Sequence, residues 1–200
     1  VLQDVNLTFP AGKLSVLVGR SGCGKSTLLK LLAGKEAPDA GEITLPEGWH
    51  TALLSPEPYV ITWTNVRQNV AMASGVGRTP EERYEHAMEY VKLVGLEDYA
   101  DLSPVELSTG MKQRLGLARG LASQAEGFLT RAELQHQVLQ LQQKLPRTIL
   151  LVTHQLDEAL LLGQSITVMH PLGKTETFDL SHLSYPRDLE NGELKDLRRA

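Results

Sequence analysis

The stretch Leu14-Ser15-Val16-Leu17-Val18-Gly19-Arg20-Ser21-Gly22-Cys23-Gly24-Lys25-Ser26-Thr27-Leu28-Leu29 decides how this 200-residue chain folds. Residues 14–18 are a short apolar run that stops at a glycine, the pattern of a buried strand. Residues 25–33 have helical composition, with leucines at 28, 29, 31 and 32, and Gly34 is a plausible stop. Between the two, Gly19 to Ser26 fits G-x-x-x-x-G-K-[ST] at every fixed position.

That spacing has a chemical reason. Glycines let the backbone curl so that several N–H groups point inward at phosphate oxygens. The helix that starts near Lys25 turns its positive end toward the same anion. Lys25 is placed to reach the β- and γ-phosphates of a nucleotide, and the Ser26 hydroxyl to ligate Mg²⁺. Candidate nucleotide-binding residues are therefore Gly19, Arg20, Ser21, Gly22, Cys23, Gly24, Lys25, Ser26 and Thr27. A chance glycine turn would need the strand, the helix and the Lys-Ser pair all to coincide. ATP or GTP binding follows, but the motif alone does not choose among transporters, kinases, GTPases and recombinases.

Outward from this loop, residues 1–9 alternate loosely and break at Pro10-Ala11-Gly12, predicting a strand and a turn. Residues 42–45 read as another short strand, closed by Pro46-Glu47-Gly48. Thr79-Pro80-Glu81-Glu82 supplies an N-cap, a proline at the first helical position and a capping-box glutamate. A helix should run from there to about Val94, with Gly95 ending it. Residues 110–122 are helical again, and their Lys112, Arg114 and Arg119 read as a solvated face. Residues 134–145 form a glutamine-rich helix stopped by Pro146. Residues 148–153 are a β-branched strand, 155–162 a helix and 166–169 a final strand. The tail beyond Pro171 is polar, with weak structure signals. Alternating strands and helices predict one α/β domain with a largely parallel sheet. Its core spans 1–63 and 121–170, with a helical insertion over about 64–120 and a tail at 171–200.

Composition narrows the classes. Apolar residues make up 42% and charged residues 22%, an ordinary globular profile. A net charge of −4 without a basic stripe argues against a nucleic-acid partner. No apolar run approaches the length of a membrane span, and Val1-Leu2-Gln3 has neither the basic flank nor the core of a signal peptide. The chain lacks an initiator Met and reads as a fragment or a processed form. Cys23 is the sole cysteine, which excludes an internal disulfide and fits a reducing, cytosolic setting.

Leu107-Ser108-Thr109-Gly110-Met111-Lys112-Gln113-Arg114 makes the choice of family. It resembles the signature of ATP-binding cassette ATPases, usually written LSGGQ and followed by a basic helical stretch. It lies some eighty residues after the phosphate loop, before Leu115-Gly116-Leu117-Ala118-Arg119-Gly120-Leu121-Ala122. Alone, a bland turn into a helix would explain it about as well. Leu151-Val152-Thr153-His154 looks like the family's switch strand, and the resemblance makes His154 a γ-phosphate sensor and candidate catalytic residue. A histidine at a strand end is otherwise more often a capping or surface residue. Trp63-Thr64-Asn65-Val66-Arg67-Gln68-Asn69-Val70 resembles the segment facing the membrane subunit, whose plainer reading is a helix start with a buried tryptophan. Within the family, Met111 to Arg114, Asp157-Glu158-Ala159-Leu160-Leu161-Leu162 and Tyr185-Pro186-Arg187-Asp188 look like the nitrate, sulfonate, taurine and bicarbonate importers.

The resemblance implies a P-loop ABC-type nucleotide-binding domain using ATP and Mg²⁺. Leu107, Ser108, Thr109, Gly110 and Met111 would clamp ATP held by the opposite subunit of a head-to-tail dimer. The partners would be transmembrane permease subunits, placing the chain on the inner face of the cell membrane and in the cytoplasm.

The chain departs from the family where hydrolysis is done. Members carry an apolar strand ending in Asp-Glu between the signature helix and the histidine strand, and no such run exists here. Read without a gap, Gly127-Phe128-Leu129-Thr130 occupies the strand and leaves Arg131 and Ala132 at the acidic positions. Read with a gap, which fits better, Thr130 to Gln135 resembles the family's segment after the D-loop, and roughly ten residues, both carboxylates among them, are absent, about a strand and a turn. The expectation is then a missing or stubbed central strand beside the phosphate-loop strand, with residues 127–130 as the stub. Glu126 and Glu133 are the neighbouring acids, but neither ends an apolar strand. Pro56 stands where the family has a glutamine. Thr109 replaces a signature glycine, a place where a β-branched residue resists positive φ and close phosphate approach. The adenine-stacking aromatic should precede Val1. Three readings result: an importer ATPase with an incomplete sequence, a degenerate binding module that does not turn over, and a different P-loop enzyme such as a small-molecule kinase. The signature, the His strand and the tail speak against the third.

Overall fold

The computed structural model describes residues 2–47, 49, 51–53, 59–123, 127–131, 142, 147–185, 187–190 and 192–199. Among these residues six strands form one sheet: β1 (Leu14–Val18), β2 (Thr51–Leu53), β3 (Gly127–Arg131), β4 (Thr148–Thr153), β5 (Ser165–Met169) and β6 (Thr175–Asp179). Their order is β2-β3-β4-β1-β5-β6. All pairs are parallel except β5 with β6. β1 is buried along its whole length, as its apolar run predicts.

Six helices accompany the sheet in the described residues: α1 (Lys25–Leu32), α2 (Val66–Ala73), α3 (Pro80–Leu93), α4 (Thr109–Ala122), α5 (Leu156–Leu162) and α6 (Gly192–Arg199). On one face of the sheet, Leu17, Leu150, Val152 and Met169 pack with Leu28 and Leu29 of α1. On the other, Leu14, Val16, Ile149 and Leu151 pack with Leu117 and Leu121 of α4, Leu160 of α5 and Leu194 of α6. A third cluster joins α2, α3 and α4 through Val66, Val70, Ala87, Val91, Leu115, Ala118 and Ala122. Helix α4 thus belongs to two clusters.

The capping box at Thr79 is formed as read, with Thr79 accepting from Glu82 N and Glu82 accepting from Thr79 N. A second box, Asn65 with Gln68, starts α2. Several expectations need correction. Residues 42–45 are exposed and form no strand; the pairing segment is Thr51–Leu53, which meets Gly127–Leu129. Ile43 and Leu45 alternate but have no sheet neighbour to bury them. Residues 2–9 form no strand either; Leu2, Leu7 and Phe9 pack onto the α1-face core, and Gln3 N donates to Leu172 O. Trp63 is 82% exposed rather than buried. The tail is structured: β6 closes the sheet edge and α6 buries Leu194. Its polarity hid this because β6 is an exposed edge strand without apolar alternation. Arg114 and Arg119 are no solvated face: Arg114 donates to the carbonyls of Val94 and Gly95 at the end of α3, and Arg119 to that of Tyr59. Burial lowers the Arg119 pKa.

Residues 127–131 are a full strand rather than a stub, bonded on both sides to β2 and β4. They do not neighbour the phosphate-loop strand, because β4 lies between β3 and β1. Residues 127–131 thus fill the strand position between β2 and β4, whichever way the segment is aligned. Pro56, Glu126, Glu133 and the helix expected at 134–145, apart from helical Gln142, lie outside the described residues.

Candidate nucleotide site

The site is built at the carboxyl edge of the parallel strands, where open α/β sheets hold their ligands. Val18 pairs with Thr153, so Gly19 and His154 leave adjacent strands at one level. Arg131 pairs with Val152, which pairs with Leu17, so β3 ends two residues short of the level of Gly19 and His154.

Gly19 has no room for a side chain. A Cβ there would lie 2.4 Å from Met169 O and 3.0 Å from Cys23 Sγ. Gly22 and Gly24 take φ of +84° and +105°, turning the loop so that Gly24 becomes the N-cap of α1. No side chain caps this helix and no acid sits in its first turn, so its amide end is not neutralised. Lys25 Nζ lies across the loop, donating to Gly19 O at 2.6 Å and Arg20 O at 2.8 Å, with Cys23 Sγ at 3.7 Å. Arg20, Ser21 and Ser26 are exposed, Thr27 is half-buried and Cys23 is buried. The loop, Lys25 and His154 are thereby brought to one edge.

Exposed His154 sits in a tied turn. Thr153 Oγ1 accepts from Gln155 N at 3.0 Å and donates to the Glu158 carboxylate. Sequence reasoning missed this tie, which joins residues five apart and matches no capping box.

The signature residues stand elsewhere, at the amino end of α4. Ser108 is the N-cap, accepting from Met111 N at 3.3 Å. Leu107 is buried and Met111 packs against the α2–α3 cluster, leaving Ser108, Thr109 and Gly110 exposed. Thr109 is the first helical residue and has negative φ, so the strain expected of a β-branched residue there does not arise. Its methyl still stands where a glycine would leave space.

For Mg²⁺, the described residues offer the Ser26 hydroxyl but no cluster of three acids, histidines or cysteines. Mg²⁺ takes few protein ligands beside nucleotide phosphates and water, so this donor set fits an ion that arrives with a nucleotide.

Two parts thus coincide: a phosphate loop between a buried parallel strand and a helix, and a second exposed helix amino end capped by Ser108. Together they define a P-loop nucleotide-binding protein. The ABC transporter family model matches residues 2–130, and the chain belongs to this family. It is 37% identical over 189 residues to the taurine import ATP-binding protein of Roseobacter denitrificans, covering 85% of this chain and 70% of that one. It is 38% identical over 210 residues to an aliphatic sulfonates import ATP-binding protein of Pseudomonas savastanoi, covering 99% and 86%. The second alignment has more positions than this chain's 200 residues, so at least ten of them have no residue of this chain. In fold, cbiO1 from Clostridium perfringens, part of an ABC transporter complex, superposes with a TM-score of 0.78 at 20% identity over 90% of this chain and 82% of that one. A dimeric ATP-binding cassette bound to ADP and Pi gives 0.73 at 23% identity, over 90% of each chain. No helix among the described residues is long and apolar enough to cross a membrane.

Proposed function

We propose that this chain is the ATP-binding subunit of an importer for a small anion such as nitrate, a sulfonate, taurine or bicarbonate, and that it holds nucleotide with little or no hydrolysis. The observation that carries the second half is the end of β3. Arg131 sits level with Val152 and Leu17, and Ala132 follows, where hydrolysis calls for two carboxylates. At least ten positions of the alignment with the sulfonate relative have no residue of this chain, which supports a loss somewhere along it.

The residues divide the work of binding. The loop from Gly19 to Gly24 and the open end of α1 receive the phosphates. Lys25 exchanges two backbone carbonyls for phosphate oxygens, a stronger charge-assisted pairing. Ser26 and Thr27 follow at the helix start, and Ser26 would hold a Mg²⁺ whose charge offsets that of the phosphates. His154 meets the γ-phosphate from the neighbouring strand. In a head-to-tail dimer, the amides near Ser108, Thr109 and Gly110 face the ATP of the partner subunit, with Leu107 and Met111 anchoring them. The segment over about 64–120 acts as a helical subdomain facing the permease, which holds the chain at the inner face of the membrane. Phosphoryl transfer depends on positioning and electrostatic stabilisation. Without an acid to orient water, the rate should fall by orders of magnitude while binding survives.

The experiment pairs ATP affinity with phosphate release in Mg²⁺, using Lys25→Ala as control. Binding lost in Lys25→Ala, without release, is the expected result. Lys25-dependent release at the rate of an intact cassette would overturn the impaired reading. Binding indifferent to Lys25→Ala would overturn the site itself.

A further inference from the structure

Helix α5 begins two residues after His154, and the C-terminal tail grips it at both ends. Its last carbonyls need partners, as at any helix end, and no left-handed glycine supplies the stop: Gly163 is extended, with φ −73° and ψ 130°. The tail fills that role. Arg187 donates to Leu160 O at 2.9 Å and also to Gly163 O, while Tyr185 donates its hydroxyl to Leu162 O. The other arm of Arg187 reaches Leu180 O at 2.9 Å, tying α5 to the end of β6. At the amino end, Asp157 pairs with Arg198 of α6 at 2.7 Å, and Arg198 also holds Glu190 at 2.8 Å. The helix has seven residues, just under two turns. Its first turn carries Glu158, which is bonded to Thr153 immediately before the histidine.

We propose that Arg187 and Arg198 are positioning residues for His154. The tail fixes where α5 lies along the sheet, and the Thr153–Glu158 tie passes that position to the imidazole at the sheet edge. Releasing the tail lets α5 shift, and the imidazole loses its place over a terminal phosphate. A misplaced hydrogen-bonding group loses most of its charge-assisted contact. The inference rests on the reading of His154 as a γ-phosphate contact.

The test is the ratio of ATP to ADP affinity, because only ATP carries the phosphate that His154 would meet. Affinities are measured by calorimetry with Mg²⁺ for the parent chain, His154→Ala, Arg187→Ala, Tyr185→Phe, Arg198→Ala and the double variant His154→Ala/Arg198→Ala. Arg198→Ala and Tyr185→Phe keep the test alive if Arg187→Ala does not fold. The expected result is that each tail variant lowers the ATP preference about threefold or more while leaving ADP affinity unchanged. In the His154→Ala background, Arg198→Ala should change the ratio no further, as a shared pathway requires. A merely structural role would lower Tm, or weaken both nucleotides alike, and leave the ratio intact; that outcome overturns the proposal. An additive effect in the double variant overturns it too. Should His154→Ala itself leave the ratio unchanged, the proposal falls together with the role given to His154. A loss confined to the tail variants' ratio leaves the phosphate-loop reading standing.

Discussion

Replacing Gly19 by alanine should destabilise the protein by about 2–3 kcal/mol, and the reason is steric. The new methyl would stand 2.4 Å from Met169 O and 3.0 Å from Cys23 Sγ. Relief needs a displacement of roughly 1 Å to reach ordinary van der Waals contact. The obstacle is backbone, at the end of a strand bonded to β1 on one side and β6 on the other. It cannot rotate away as a side chain would, so the cost belongs in the upper part of the ~1–3 kcal/mol typical of overpacking. At about 2–4 °C per kcal/mol for a chain of this size, Tm should fall by roughly 4–12 °C. Gly110→Ala serves as a control of opposite sign. It is the second residue of α4, and its Cβ would meet nothing within 4 Å, so it should gain somewhat less than the ~1 kcal/mol of a helix-interior Gly-to-Ala change. Urea unfolding followed by circular dichroism measures both. A Gly19→Ala variant within about 0.5 kcal/mol of the parent would refute the packing argument, as would equal signs for the two substitutions.

Other outcomes follow from the tail and from β3. Arg187→Ala should cost about 2–3 kcal/mol in urea unfolding, since it strips charged donors from the carbonyls of Leu160, Gly163 and Leu180; Arg187→Lys should recover less than half, because an ammonium cannot reach in two directions. Burial raises the Tyr185 hydroxyl above its ordinary 10.0, partly offset by Arg187. Folding therefore favours the protonated phenol, and this contribution is whole below pH 10 and lost as pH rises through the raised value. Stability measured from pH 8 to 11 should fall more steeply in the parent chain than in Tyr185→Phe. The double variant Arg131→Asp/Ala132→Glu should raise Lys25-dependent phosphate release at least about tenfold if the end of β3 alone limits turnover; no gain would place the defect in the shortened segment that follows.

The phosphate loop was legible because three independent signals met in sixteen residues: an apolar run, a fixed glycine spacing and a leucine-rich helix. The helix at 80 was legible from its cap, and the one at 109 without any cap having been read. What escaped was what depends on distant partners. Thr51–Leu53 is too short to show a period, and it is a strand because Gly127–Leu129 lies beside it. Ile43 and Leu45 have the period but no partner. β6 is polar because it is an edge, and the basic residues of α4 looked solvated because the carbonyls they cap belong to other segments. The place of β3 one strand away from β1 is a matter of crossover, which spacing along the chain does not encode.

Helix α4 shows what it means for one element to serve two cores. Leu117 and Ala118 are neighbours in sequence yet pack into different clusters. A turn of the helix about its own axis by one residue step, about 100°, would pull both from their sockets at once. Azimuth is thus set by two independent locks rather than one. The amino end at Ser108 lies about 20 Å from the last buried residue, Ala122, yet it inherits that fixed angle. The direction in which Ser108, Thr109 and Gly110 face outward is decided by residues that lie in the interior, and a substitution at Leu121 would be felt as an aiming error at a surface it never touches.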